Sequence, residues 1–342
     1  MLYRRRASGK EGDLSLQGPR VPTPPVTIGM PVYNDERYLR LALDDLLEQS
    51  FTDFELIISD NASTDASPEI CREYAAKDGR IRYVRQQTNL GALRNFLFLL
   101  DQARGEFFMW AASDDQWHKE YVARLVAALR RDKSLAVAFS PFQYMDEEGR
   151  KIGAMQRIDY SGSWPVARLI KFNMNLNVGA DAFFYGLFRR DIIKDLRIRQ
   201  WRGINSNILT NMAYPVLSFC LARGGFISVG DQPMWMDRIH IHSVPRHSAA
   251  RNWSPMKYLF AFILRKANLA WYNLEEIYRG RRNPALILAL LPFVVLRCIA
   301  DVLLLVASIA FRREFVVGVS PMPAPARRRP PAVAEPDSRD DG

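Results

Sequence analysis

Two adjacent carboxylates, Asp114 and Asp115, close the largely apolar run Glu106-Phe107-Phe108-Met109-Trp110-Ala111-Ala112, with only Ser113 between. Such a run reads as a buried strand, and carboxylates at its carboxyl end stand where open α/β sheets place ligands. Hard divalent cations such as Mg²⁺ or Mn²⁺ take oxygen ligands and bind through one or two carboxylates plus substrate phosphates, so the pair is a candidate metal site. The competing reading is a solvated turn that caps a helix expected over Lys119 to Arg131, since Asp is a favoured N-cap.

Three more clusters carry chemistry. In Pro31-Val32-Tyr33-Asn34-Asp35-Glu36, the proline is expected to end a strand and Tyr33 offers a flat ring to a base or sugar. Ser59-Asp60-Asn61-Ala62-Ser63-Thr64-Asp65 is dense in short polar side chains. There Asp60 either accepts the imide N–H of a uracil or serves Asx-turn and capping chemistry. In Asn89-Leu90-Gly91-Ala92-Leu93-Arg94-Asn95, the arginine either meets a diphosphate or is simply exposed at a helix start.

The elements that must position these clusters alternate. Strands are expected at Val26 to Met30, Phe54 to Ile58 and Ile81 to Val84, with helices near Tyr38 to Gln49 and Gly91 to Ala103. Another helix start is signalled by Ser67 as N-cap, Pro68 at the first helical position and Glu69 after it. Repeated strand–helix units of this length imply an α/β fold with a mostly parallel sheet and right-handed crossovers.

Taken in order, VTIGMPVYNDERYL (26–39), FELIISDNASTD (54–65), NLGALRNF (89–96) and ARGEFFMWAASDD (103–115) resemble the nucleotide-binding half of family 2 glycosyltransferases of the GT-A fold. The resemblance is strong over about 26–130 and fades beyond. It implies a Rossmann-like, helix-flanked sheet and an inverting enzyme that takes a sugar from a UDP-, GDP- or dTDP-sugar. It also implies that Pro31, Tyr33 and Glu36 line the nucleotide site, that Asp60 reads the base, that Asp114 faces the ribose or sugar, and that Asp115 binds Mn²⁺ or Mg²⁺ beside the diphosphate. Two departures stand out: the family's Asp-Asp-Gly-Ser is Asp60-Asn61-Ala62-Ser63 here, and Ala112 replaces the first Asp of an Asp-x-Asp.

The second half, 131–250, is expected to extend the sheet and build the acceptor side, with a strand at Ala136 to Phe139, a turn at Met145 to Gly149, and a strand meeting a helix within Phe183 to Arg190. An inverting transfer needs a carboxylate to take the acceptor's proton. The resemblance places it about ten residues before Gly224 to Phe226, on Met212, Ala213 and Tyr214, and no Asp or Glu occurs between Asp195 and Asp231. Asp181, Asp231 and Asp237 are the remaining base candidates, unless the acceptor is already anionic, as a polyprenyl phosphate is. Arg238-Ile239-His240-Ile241-His242 alternates like a strand, so both histidines share a face, and His242, ahead of His240, is a further candidate for the metal or diphosphate.

Composition sets the remaining bounds. A chain of 342 residues, 48% apolar, buries a large core. Cys71, Cys220 and Cys298 form no CxxC, which suits a reducing cytoplasm better than a disulfide framework. The net charge of +10 is concentrated in arginine clusters at 4–6, 279–282, 312–313 and 327–329, a distribution that suits anionic lipid rather than nucleic acid. Residues 1–25 read as a flexible leader, 26–250 as the catalytic domain, 251–315 as a helical membrane-associating region and 316–342 as a disordered tail.

Within the third of these regions, Ala285 to Phe311 is nearly all apolar, interrupted by Pro292, Arg297 and Asp301. As one helix of about 1.5 Å per residue it would exceed the roughly 30 Å hydrocarbon core. The preferred form is instead an interfacial or re-entrant hairpin bent at Pro292, with its arginines on the cytoplasmic side; a soluble helix pair over the core is the alternative. The expectation is therefore a membrane-associated glycosyltransferase for a surface glycan or glycolipid on the cytoplasmic side of the plasma membrane. A catalytically degenerate glycan- or nucleotide-binding scaffold remains a second reading. A sugar nucleotidyltransferase is disfavoured, since Gly29-Met30-Pro31-Val32-Tyr33 stands where a Gly-rich phosphate loop would be.

Overall fold

The computed structural model describes residues 23–156, 164–174, 184–196, 213–239, 271, 274–275, 277–279 and 282–310. Asp181, Met212, His240 and His242 lie outside them, as do the leader, apart from its last three residues, and the 316–342 tail.

Seven strands form the main sheet, in the order β10-β6-β9-β4-β1-β2-β3. They are β1 (Val26–Val32), β2 (Phe54–Asp60), β3 (Ile81–Arg85), β4 (Phe107–Trp110), β6 (Leu135–Phe139), β9 (Leu187–Arg189) and β10 (Gly225–Ser228). All neighbours run parallel except β9, which is antiparallel to both β4 and β6. This mostly parallel sheet flanked by helices fits the GT-A arrangement. The flanking helices include α1 (Leu39–Leu47), α2 (Ser67–Lys77), α3 (Ala92–Gln102) and α4 (Tyr121–Arg131).

The central strand explains its own sequence. Phe108 and Trp110 point into one core cluster and Phe107 and Met109 into the other, so both faces are buried and the run is apolar without alternation. At the opposite end from the carboxylates the strands are stapled by polar bonds. The Thr27 hydroxyl donates to Glu55 (2.7 Å) and accepts from the Gly105 N–H (2.9 Å), while Arg104 pairs with Glu55 at 2.6 Å. Gly105 is required there, because a Cβ would lie 2.7 Å from the Thr27 nitrogen.

A second sheet, unforeseen in the sequence, has the order β5-β11-β7-β8: β5 (Gln116–Trp117), β7 (Phe142–Met145), β8 (Lys151–Gln156) and β11 (Trp235–Arg238). The expected turn at Met145 to Gly149 joins β7 to β8. The strand expected over Arg238 to His242 meets β11 at Arg238, where β11 pairs with β7 from Trp235↔Phe142 to Arg238↔Met145, and its residues 240–242 lie outside the described residues. Two smaller expectations also shift. Pro31 lies inside β1 rather than ending it; β4 pairs with β1 only as far as Gly29, so a proline two residues on is tolerated. Ser67 is the first residue of α2, with Ala66 in the capping position.

Helices α5 (Pro165–Met174), α6 (Arg190–Ile193) and α7 (Ala213–Arg223) complete the second half, and α8 (Pro284–Ala310) packs on α5. The hairpin expected at Pro292 is not formed: α8 runs through the proline as one helix. The carbonyl that Pro292 leaves without its i→i−4 partner belongs to Leu288, which lies on the exposed side of the helix. Leu286, Leu290 and Val294, spaced four apart, are buried in the core. Among the described residues no helix is long and apolar enough to cross a membrane.

Candidate functional site

The loops after β1, β2 and β4 meet at the carboxyl edge of the main sheet, bonded to one another. The first two are zipped by alternating bonds. Asn34 N–H donates to Ser63 Oγ (3.0 Å), Thr64 N–H to Asn34 Oδ1 (2.8 Å), Asp35 N–H to Ser67 Oγ (2.9 Å) and Glu36 N–H to Asp65 Oδ2 (3.0 Å). Ala66 N–H closes the series on Glu36 Oε2 (2.7 Å). The Ser113 hydroxyl donates to Asp35, which ties the first loop to the carboxylate loop. Glu36, expected to line the nucleotide site, is exposed and bonds the second loop both ways, and the Tyr33 ring is half exposed.

Asp60, the residue assigned to the base, is fully buried. Its Oδ1 accepts from Ser63 N–H (2.8 Å), its Oδ2 accepts from the Tyr83 hydroxyl (2.9 Å), and the Arg85 Nε stands 3.5 Å away. Burial and the bond to Asp60 raise the Tyr83 pKa, keeping that hydroxyl a donor. Asn61 ties the third loop, donating to Asn89 (2.9 Å) and accepting from Leu90 N–H (2.8 Å). Arg94 is exposed on the first turn of α3.

The two acidic residues after β4 are not equivalent. Asp115 is 2% exposed, its Oδ2 accepting from the Trp235 indole N–H (2.8 Å) and its Oδ1 from the Arg238 backbone N–H (2.9 Å). Burial raises its pKa, and the negative charges of Asp237 and then Asp114 raise it further against those two bonds. Asp114 is only partly buried. Asp237 is half buried on β11 and Asp231 is exposed in the β10–β11 connection. Where the base was expected, α7 begins with Ala213 and Tyr214.

Among the described residues no group of three or more His, Cys, Asp or Glu could hold a metal ion by itself. The carboxylate oxygens at Asp114 and Asp115 nevertheless fit a hard cation that completes its shell with substrate phosphates and water. A buried acid crowded by two like charges is a place where added positive charge is favourable. Four contributors had no signal of their own in the sequence: Asp35, Tyr83, Trp235 and Arg238, whose partners lie 23 to 124 residues away.

The family described as Glycosyl transferase family 2 matches residues 27–197, half of the chain. An uncharacterized protein of Mycobacterium tuberculosis is 41% identical over 123 residues, 35% of each chain. The putative glycosyltransferase EpsH of Bacillus subtilis is 34% identical over 125 residues, 36% of each. The matches thus span about a third of these relatives' length. A crystal structure of S. aureus TarS 1-349 in complex with UDP-GlcNAc superposes with a TM-score of 0.50 at 20% identity, covering 74% of this chain and 72% of that one. At that identity the likeness is one of fold.

Ala62, in the second loop, has φ +62°, a conformation that an L residue with a Cβ adopts at a cost. Ala62→Gly is expected to stabilise the fold by about 0.5–1 kcal/mol, the left-handed strain outweighing glycine's added entropy, and Ala62→Val to destabilise it. Chemical denaturation of the three proteins checks this. A less stable glycine variant would contradict the loop geometry.

Proposed function

The chain belongs to glycosyl transferase family 2, and from that premise we propose that it moves a sugar from a nucleoside-diphosphate sugar to a glycan or polyprenyl-linked acceptor in surface polysaccharide or glycolipid synthesis. The observation that carries the reading is the joining of three strand-end loops beside an exposed tyrosine ring and a partly exposed carboxylate, Asp114, set on a buried one. UDP-, GDP- and dTDP-sugars are the donor class.

In this reading the Tyr33 ring stacks on the base and Pro31 shapes the floor beneath it. Asp60 accepts a base N–H when the Tyr83 hydroxyl and Arg85 give way, since with both in place it has no accessible surface. Arg94, exposed at the start of α3, meets the diphosphate. Asp114 and Asp115 would hold the cation, with His242 as a further ligand. When bound, Mn²⁺ or Mg²⁺ supplies charge neutralisation for the departing nucleoside diphosphate.

The acceptor oxygen attacks the anomeric carbon and inverts it. Asp237 is the base preferred over Asp231 and Asp181, because it stands on β11 next to Arg238, whose backbone N–H binds Asp115. A phosphate acceptor would need no base. The scaffold reading draws on the absent helix carboxylate and predicts binding without turnover.

The protein sits on the cytoplasmic side of the membrane through α8. Its outer side exposes Leu288, Leu296, Ile299 and Leu303, and arginine clusters at 279–282 and 312–313 flank it in the sequence. An apolar helix face framed by arginines suits an anionic lipid interface.

Two measurements test these assignments. Calorimetric titration with UDP, GDP and dTDP, each with and without Mn²⁺, should show metal-dependent binding of one of them, weakened roughly tenfold or more by Asp114→Asn. Asp114 is the cleaner site to alter, because an asparagine at 115 would set its amide against one of two N–H donors, at about 1–3 kcal/mol. Folded protein that binds none of the three would overturn the donor assignment. For the membrane, the triple variant Leu288→Ser, Leu296→Ser, Leu303→Ser should lose cosedimentation with anionic vesicles while still folding, because it spares the buried Leu286, Leu290 and Val294. Undiminished sedimentation would count against the interfacial helix.

A further inference from the structure

Arg238 is 6% exposed, and its donors are spent in an unusual way. An arginine beside carboxylates ordinarily pairs with one and neutralises it. Here the side-chain donors go to main-chain carbonyls: Nε to Asp114 O (2.8 Å), and Nη1 to both Asp146 O (3.0 Å) and Glu147 O (3.1 Å). Its backbone N–H donates to the Asp115 carboxylate, and its guanidinium lies 4.2 Å from the centre of the Tyr38 ring. The Tyr38 hydroxyl in turn donates to Glu147 O (3.2 Å).

One residue therefore binds the carboxylate loop after β4, the β7–β8 turn and the start of α1. Resting on the donor-site reading above, we propose that Arg238 is a positioning residue for that site. It sets where the Asp114 and Asp115 carboxylates stand when the nucleoside diphosphate binds, without itself neutralising them. The planar fork is essential to this. Lysine carries its donors on a single nitrogen and cannot serve the Asp114 carbonyl and the β7–β8 turn from the two positions that Nε and Nη1 occupy.

The test is metal-dependent nucleoside-diphosphate binding by the full chain, with thermal melting in parallel. Arg238→Lys should bind the diphosphate at least about tenfold more weakly in the presence of Mn²⁺, as displaced carboxylates would. In an Asp114→Asn background the same change should cost only about twofold, because the side chain holds the loop at the Asp114 carbonyl, whose carboxylate charge is already lost, while the backbone N–H bond to Asp115 is kept by lysine. The control is Arg168→Lys, a buried arginine on α5 that donates to Leu221 O far along the chain, which should melt lower and keep its affinity.

Wild-type affinity in Arg238→Lys would overturn the positioning role, as would equal losses in both lysine variants, since that marks a general structural effect. Should Arg238→Lys fail to fold, Tyr38→Leu, which removes the ring beneath the guanidinium, should weaken binding several-fold, and no change there would overturn the proposal. A wild-type chain that binds no diphosphate would instead fail the donor reading itself, and this inference with it.

Discussion

The two bonds received by the Asp115 carboxylate, from the Trp235 indole and the Arg238 backbone, are what the site depends on. Each spans at least 120 residues of sequence, and together they fasten the end of the central strand to the small sheet. A carboxylate buried this deeply loses its hydration, and two bonds recover part of that cost while the neighbouring acids add to it. The result is a carboxyl group fixed in place under an edge where the neighbouring Asp114 is only partly buried. Were it replaced by an apolar side chain, the carboxylate loop would lose its tie to β11, and the arginine that holds three more carbonyls would lose one of its anchors.

Rigidity elsewhere at the edge comes from reciprocal bonds between two loops about 30 residues apart in sequence. The Asn34–Thr64 and Glu36–Ala66 zipper uses small polar residues to satisfy backbone N–H groups that no strand can pair once β1 and β2 have ended. Ala62 holds a left-handed conformation within this zipper, where the family pattern has glycine. Small polar residues at these positions thus serve two ends: they close the loop, and they leave the Tyr33 ring facing solvent.

Much of the main sheet was legible because its signals are local. Alternating strand and helix segments from Val26 to Arg131 are set by apolar periodicity and punctuated by proline and glycine, and the structure matches them to within a few residues. The small sheet was not legible: β5 has two residues and β11 four, too short for any periodicity, and they exist only because residues 116–117, 142–145 and 235–238 are brought together by the larger fold. The segment of α8 forms one helix and not the expected hairpin for a different reason. A proline predicts a break only where its unpartnered carbonyl has nowhere to go, and here the exposed side of the helix tolerates it. In the site itself Asp114 and Asp115 could be picked from their position after a buried strand, but their inequality, one buried and one reachable, follows from Trp235 and Arg238 and could not. Asp60 likewise was recognisable by type, whereas its burial under Tyr83 depends on how β3 pairs with β2.

The central claim is that a nucleoside diphosphate and a divalent cation meet at Asp114 and Asp115. A crystal structure of the full chain grown with Mn²⁺ and the diphosphate that binds it, with data collected at the manganese absorption edge, tests this most directly. The account predicts an anomalous peak in contact with these carboxylates and the diphosphate oxygens, with the base beside Tyr33. A manganese peak that touches neither aspartate, or a nucleotide bound away from the three joined loops, would contradict it.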